Sequence, residues 1–288
     1  VSSVVKFIQN KINTKTKWFY TGEAYRKQNK NYNAPIINQT GFEIFASNDK
    51  IKDDKEIIQT SIEIFKKSKF KKGELNISNI EIFNALIDRL SLALRWKERI
   101  KRHFCREAYF NQLLRKLSSD TDINFAEVEK DKKIAEKFRK QKPSTSYSGR
   151  TIKDILERFD LKNFKEPRSI ADKKSVKIIK NYLKISCAID KAPSTLNKFF
   201  KKNKLNLFIS DDYFPVVKTI NRKIKINFSS NINRSLEYYS GMVFNITVNK
   251  KGKKFSLISG GRYDGLLKNL GSKKNTTAVG AAIDMSLL

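Results

Sequence analysis

Between Arg234 and Leu266 the chain reads RSLEYYSGMVFNITVNKKGKKFSLISGGRYDGL, and this stretch decides the fold. EYYSGMVFNITV and KFSLIS are rich in β-branched and aromatic residues, and NKKGK between them carries a glycine suited to a hairpin turn. The spacing predicts two antiparallel strands. Neighbours on a strand point to opposite faces, so Glu237 and Tyr239 are expected on one face and Tyr238 on the other. Gly260, Gly261 and Gly265 would let the backbone bend sharply and approach a ligand. Arg262 and Asp264 are costly to bury apart, which predicts a local ion pair. Residue types alone leave two readings open: a binding site, or a core aromatic pair above a tight turn.

Working outward, residues 16–28 (TKWFYTGEAYRKQ) and 36–48 (IINQTGFEIFASN) predict a second hairpin. Gln39, Gly41 and Glu43 are two apart and share one face of their strand. With Arg26 on the facing strand, they could hold an amino acid by its carboxylate, polar side chain and ammonium. A solvated sheet face is the alternative. Residues 49–70 place Ile57, Ile58, Ile62, Ile64 and Phe65 at helical spacing, with Gly73 as the breaker. ELNIS (74–78) reads as a strand and residues 80–94 as an amphipathic helix. From 94 to 163 the chain is helical and highly charged, with PSTSYSG as a loop, and a third helical stretch covers about 169–203, broken at Ala192-Pro193. Strands return at LNLFI (205–209) and KIKINF (223–228), and TTAVGAAIDM (276–285) predicts a buried small-residue strand entering a helix. The sum is α+β: a mostly antiparallel sheet flanked by helices and split by a helical insertion. We expect the core over 1–93 and 205–288, with the insertion over 94–204.

Composition bounds the function. The 288 residues include 60 Lys+Arg against 29 Asp+Glu, a formal net charge of +31. Such an excess suggests nucleic acid, because neutralising phosphate dominates that binding. Yet 46 of the basic residues are Lys and only 14 are Arg, and they are scattered along the chain. Arginine is the usual bidentate reader of bases and phosphates, so a solvated surface is the default reading. One histidine, His103, excludes every site built on a pair of histidines, and two cysteines, Cys105 and Cys187, exclude a disulfide framework. Neither His103 nor Cys105 is assigned chemistry. No apolar run approaches the roughly 18 residues of a membrane helix, and the first residues lack a signal-peptide layout, so the expected location is cytoplasmic.

The string Arg234-x-Leu-Glu-Tyr-Tyr-x-Gly-x-Val-Phe, followed by Gly260-Gly-Arg-Tyr-Asp-Gly-Leu, resembles the histidine-binding motifs of histidyl-tRNA synthetases. Phe19-Tyr-x-Gly-x-x-Tyr-Arg to Asn38-Gln-x-Gly-Phe-Glu resembles motif 2 of class II synthetases, and Ala278-Val-Gly-Ala-Ala resembles the start of motif 3. The matches fall in family order towards both ends of the chain, while residues 94–230 match much more weakly. By this resemblance Gln39 and Glu43 would face a histidine ammonium, Tyr239 and Tyr263, with Tyr238 beside them, the imidazole, and Arg26 and Arg234 the carboxylate.

The nucleotide side departs from the family. The motif 2 loop, Asn29 to Ile36, has no arginine, Gln28 stands where the family has an acidic residue, and Asp284 to Leu288 lacks the motif 3 arginine. Adenylation needs fixed positive charge around the triphosphate, so ATP chemistry should be largely lost. These departures resemble the regulatory subunit of ATP phosphoribosyltransferase, a synthetase paralogue without aminoacylation. That resemblance implies a short catalytic subunit as partner, histidine as feedback ligand, no catalytic residue, no metal and no cofactor. A divergent histidyl-tRNA synthetase is the alternative. Motif 1 and the family's acidic histidine-recognition residue are expected upstream of Val1, so self-association through that region is implied and the chain reads as a fragment. An anticodon-binding domain, often lacking in the regulatory paralogue, is not recognised.

Overall fold

The computed structural model describes residues 14–25, 36–118, 125–141, 146–147, 150–163, 170–210, 213–214, 224–232, 238–250, 252–272 and 276–288. Arg26, the loop 27–35, Arg234 and Glu237 lie outside the described residues. The chain divides into two compact units, one of residues 1–86 with 181–288 and one of residues 87–180.

The first unit is built on an eight-stranded sheet in the order β1-β2-β10-β9-β8-β3-β7-β6. The strands are β1 (Thr16–Tyr25), β2 (Ile36–Phe45), β3 (Gly73–Asn79), β6 (Ser186–Ala188), β7 (Ile224–Ser229), β8 (Met242–Lys250), β9 (Lys253–Arg262) and β10 (Ala278–Asp284). Every neighbouring pair is antiparallel except β3 and β7. A single parallel pair in this order is what a long excursion between β3 and β7 produces, since parallel neighbours need a crossover.

Period-2 patterning makes the sheet two-faced. Ile77, Phe244 and Gly260 stand in one cross-strand row, Leu75 and Ile246 in the next, all buried. Helix α1 (Lys50–Lys67) belongs to the same side: it buries Ile57, Ile58, Ile62 and Phe65, and its Glu56 pairs with Lys17 of β1. The opposite face carries polar side chains. Across β7, β3 and β8 it shows an asparagine row, in which Asn227 Nδ2 donates to Asn76 Oδ1 at 3.5 Å and Asn76 Nδ2 to Asn245 Oδ1 at 3.3 Å. In register with that row lie Ser259, Ala282, Gly41 and Tyr20. The residues that sequence singled out on β2 project from this polar face.

Several boundaries move. Helix α1 stops at Lys67, where Ser68 caps it by bonding Phe65 O, six residues before Gly73. Gly73 instead starts β3, where a Cβ would lie 2.7 Å from the Phe65 ring. Helix α2 (Ile80–Arg89) ends before residue 94. LNLFI is not a strand: Asn197 donates to Ile209 O and accepts from Ile209 N, both at 2.8 Å, so a side chain supplies the bonds a neighbouring strand would make. The residues directly after β10, Met285–Leu287, form a turn.

The second unit holds α3 (Leu94–Arg102), α4 (Glu107–Ser118), α5 (Phe125–Arg139), the two-residue strands β4 (Ser146–Tyr147) and β5 (Arg150–Thr151), and α6 (Ile152–Asn163). Its core includes Trp96, Ile100, Phe104, Phe110, Leu113, Leu114 and Leu117. The Arg95 and Arg99 guanidinium carbons stand 5.6 and 5.3 Å from the Trp96 ring centre, so part of the basic excess here serves packing. Helix α7 (Ile170–Tyr182) leads back to the first unit.

Residues 181–204, grouped from sequence with the insertion, fall in the first unit. The reason is β6, which pairs with β7 as a sheet edge, together with Tyr182 and Phe200, which are fully buried. The helical stretch is broken as expected, with a new helix, α8 (Ala192–Lys202), starting at Ala192; Pro193 sits in its first turn, where its missing N–H costs nothing. No described helix is long and apolar enough to cross a membrane.

Candidate functional site

Three segments converge on the polar face at the β1–β2–β10–β9 end of the sheet. The first is β2, where Gln39, Gly41 and Glu43 face Gly22, Tyr20 and Trp18 of β1. Tyr20 stands opposite a glycine and uses the space: a Cβ on Gly41 would fall 2.3 Å from the Tyr20 ring. Gln39 Nε2 donates to the Tyr20 hydroxyl at 2.7 Å. Tyr20 was missed from sequence, although a tyrosine across from a glycine is the available signal. Gly280 makes similar room for Glu43, since its Cβ would meet Glu43 Cγ at 2.6 Å.

The second segment is Tyr238–Ser240. It lies outside β8, which begins only at Met242. The alternation expected for Tyr238 and Tyr239 therefore does not apply, and both tyrosines pack into one cluster. Their rings are 4.7 Å apart, tilted by 51°. The Tyr239 ring lies on Gly261, whose added Cβ would come within 2.9 Å of it and 2.5 Å of Met242 O. Gly260 and Gly261 sit inside β9 rather than at a bend. A Cβ on Gly265 would meet nothing within 4 Å, so close approach is not its reason for being there.

The third segment is Tyr263, between β9 and the short helix α9 (Asp264–Asn269). Its ring stands edge-on to Tyr238 at 5.9 Å and to Phe45 at 6.5 Å, and Trp18 closes the cluster at 5.9 Å from Phe45. The expected ion pair is present: Arg262 Nη1 lies 3.0 Å from Asp264 Oδ1.

Electrostatics define what this cluster offers. The Tyr263 hydroxyl is buried and has, among the described residues, no hydrogen-bond partner of good geometry. Burial, then the nearby Glu43 carboxylate, push its pKa well above the ordinary phenol value. Burial does the same for Tyr239, helped by Tyr238, Tyr20 and Glu43. At neutral pH these phenols therefore remain protonated donors around one carboxylate. Four phenols, an amide and an acid can hold a cation and a flat, hydrogen-bonding ring. Among all described residues no group of three His, Cys, Asp or Glu could hold a metal ion.

Gln39, Glu43, Tyr238, Tyr239 and Tyr263 are thus brought together, whereas Arg26 and Arg234 lie outside the described residues.

The family model described as histidyl-tRNA synthetase matches residues 2–157 and 133–288. An ATP phosphoribosyltransferase regulatory subunit from Sinorhizobium fredii is 22% identical over 303 residues, spanning 97% of this chain and 78% of that protein. A histidine–tRNA ligase from Francisella tularensis subsp. novicida is 45% identical over 65 residues, 23% of this chain and 15% of the ligase. Among solved structures, histidyl-tRNA synthetase from Nostoc superposes with a TM-score of 0.56 at 14% identity, covering 99% of this chain and 56% of that chain. An ATP phosphoribosyltransferase regulatory subunit/histidyl-tRNA synthetase from Bacillus halodurans gives 0.52 at 16% identity, covering 99% and 61%. With the family model matched from residue 2 to residue 288 and the sheet shared with solved relatives, the chain belongs to the histidyl-tRNA synthetase family and has its class II synthetase-like fold.

Proposed function

We propose that this chain is a regulatory member of the family that binds histidine and does not aminoacylate, acting on a short ATP phosphoribosyltransferase catalytic subunit in the cytoplasm. The observation that carries the reading is a contrast between two neighbouring regions. The amino-acid side keeps Gln39, Glu43, Tyr238, Tyr239 and Tyr263, while Asp284–Leu288, at the end of β10, carries no arginine. The 97% coverage by a relative named as a regulatory subunit points the same way. In this reading Glu43 and Gln39 take the ligand ammonium, the protonated phenols of Tyr239 and Tyr263 address the imidazole, and Arg26 and Arg234 take the carboxylate. Regulation is then linkage: histidine favours one arrangement of the subunits and lowers activity at a distant site.

The test is to co-purify the full-length protein with a short catalytic subunit and measure phosphoribosyl transfer with and without histidine. Transfer that needs this protein and falls with histidine is expected; transfer indifferent to both refutes the reading. The local 45% identity to a histidine–tRNA ligase favours a second reading, a divergent synthetase. Histidine-dependent pyrophosphate exchange into ATP would establish that one and remove the first.

A further inference from the structure

Among the residues whose side-chain burial is described, Arg262 is the only buried arginine or lysine. It lies on the far side of the sheet from the tyrosine cluster. In β9 the face towards the tyrosine cluster is presented by Gly261, under Tyr239, so Arg262 projects to the other face, where α1 lies. There its Nε donates to Asp54 Oδ1 at 2.9 Å, Nη2 to Lys50 O at 2.9 Å and also to Asp54 Oδ1, and Nη1 to Asp264 Oδ1 at 3.0 Å. Its stem passes over Gly241, where a Cβ would lie 3.2 Å from Arg262 Cδ.

One partner of that guanidinium, Asp264, leads back to the tyrosine cluster. Asp264 Oδ1 also accepts from the Ala278 amide at 2.8 Å, and Ala278 O accepts from the Tyr263 amide at 2.8 Å. Asp264 N donates to Ser240 Oγ at 3.1 Å, while Ser240 N donates to Arg262 O at 2.8 Å. Tyr263 lies between Arg262 and Asp264, and Tyr239 directly precedes Ser240.

We propose that Arg262, with Asp54 and Asp264, is a positioning group that sets the Tyr238–Tyr239–Tyr263 cluster from behind the sheet without touching the ligand. A planar fork with five donors suits this task, because it ties α1, β9 and α9 together at fixed angles. The assignment deepens the histidine-binding reading and rests on it for the ligand.

The test must separate positioning from stability. Removing one partner leaves a buried charge and risks unfolding, whereas replacing both by apolar residues is often close to neutral for stability. The variants are therefore Arg262→Met with Asp54→Leu together, and the milder Arg262→Lys, in the full chain. Histidine affinity is read by calorimetry, melting by circular dichroism, and tyrosine order by fluorine NMR of fluorotyrosine-labelled protein, assigned with Tyr238→Phe and Tyr263→Phe. The double variant should melt near wild type yet bind histidine at least tenfold more weakly, with shifted or broadened Tyr238 and Tyr263 signals. Arg262→Lys should fall between. Wild-type affinity and wild-type tyrosine signals in the double variant overturn the proposal. If the wild type binds no histidine, the ligand reading fails, and the fluorine signals alone still decide whether Arg262 orders the cluster.

Discussion

The two glycines flanking Arg262-Tyr263-Asp264 look alike in sequence and should behave oppositely on substitution. At Gly261 an added methyl carbon would lie 2.5 Å from Met242 O, a main-chain atom of the neighbouring strand, and 2.9 Å from the Tyr239 ring. Ordinary carbon–oxygen contact needs close to another ångström, and β8 is held on both sides by β9 and β3, so it cannot yield alone. Overpacking of this kind costs about 1–3 kcal/mol. With roughly 2–4 °C of melting temperature per kcal/mol for a domain of this size, Gly261→Ala should melt about 2–12 °C below wild type. Gly265, the second residue of α9, faces open space and has no positive φ, so Gly265→Ala gains helix propensity of up to about 1 kcal/mol. Gly265→Ala should therefore melt at or slightly above wild type. Paired calorimetric scans in one buffer check both. Equal melting temperatures for the two variants, or a larger loss at Gly265, would refute the claim that strand contact governs this motif.

Other outcomes follow from single groups. Gly41→Ala would drive the Tyr20 ring off β2 and break its bond with Gln39; since the displaced atoms are the far end of a side chain, stability should fall by under about 1 kcal/mol while histidine affinity changes, which calorimetric titration tests. The Tyr182 hydroxyl is fully buried with no hydrogen-bond partner among the described residues, so Tyr182→Phe should stabilise by roughly 1 kcal/mol, seen as a higher melting temperature; a lower one contradicts that reading. Burial pushes the Asp54 carboxyl up to about 6, against the pull of Arg262. A raised carboxyl pKa means the folded chain binds more protons than the unfolded one, so this group's contribution to stability falls as pH rises from about 4 to about 6 and is flat above. Urea unfolding of wild type and Asp54→Asn across that range should show their difference changing with this slope, and a pH-independent difference would count against it.

The strand pairs β1–β2 and β8–β9 and helix α1 were legible because alternation and helical spacing are local properties of the chain. So was the Arg262–Asp264 pair, since two opposite charges two residues apart in an apolar stretch have little alternative. LNLFI was misread for a matching reason: its composition favours a strand, but the partner it found was the Asn197 side chain rather than another backbone. β6 went unrecognised because three residues carry no period.

By itself the sequence determined the two-faced strands, the order of the family motifs and the residue types at the amino-acid end, since each depends on near neighbours or on identity alone. Only the tertiary structure decided what those residues do to one another. It brought Tyr20 over Gly41, drew Tyr238 and Tyr239 into one cluster, laid Tyr239 on Gly261, and joined Arg262 to Asp54 across 208 positions of chain. Such contacts are set by strand order and by which side of a sheet a helix covers, and neither is encoded in the local period.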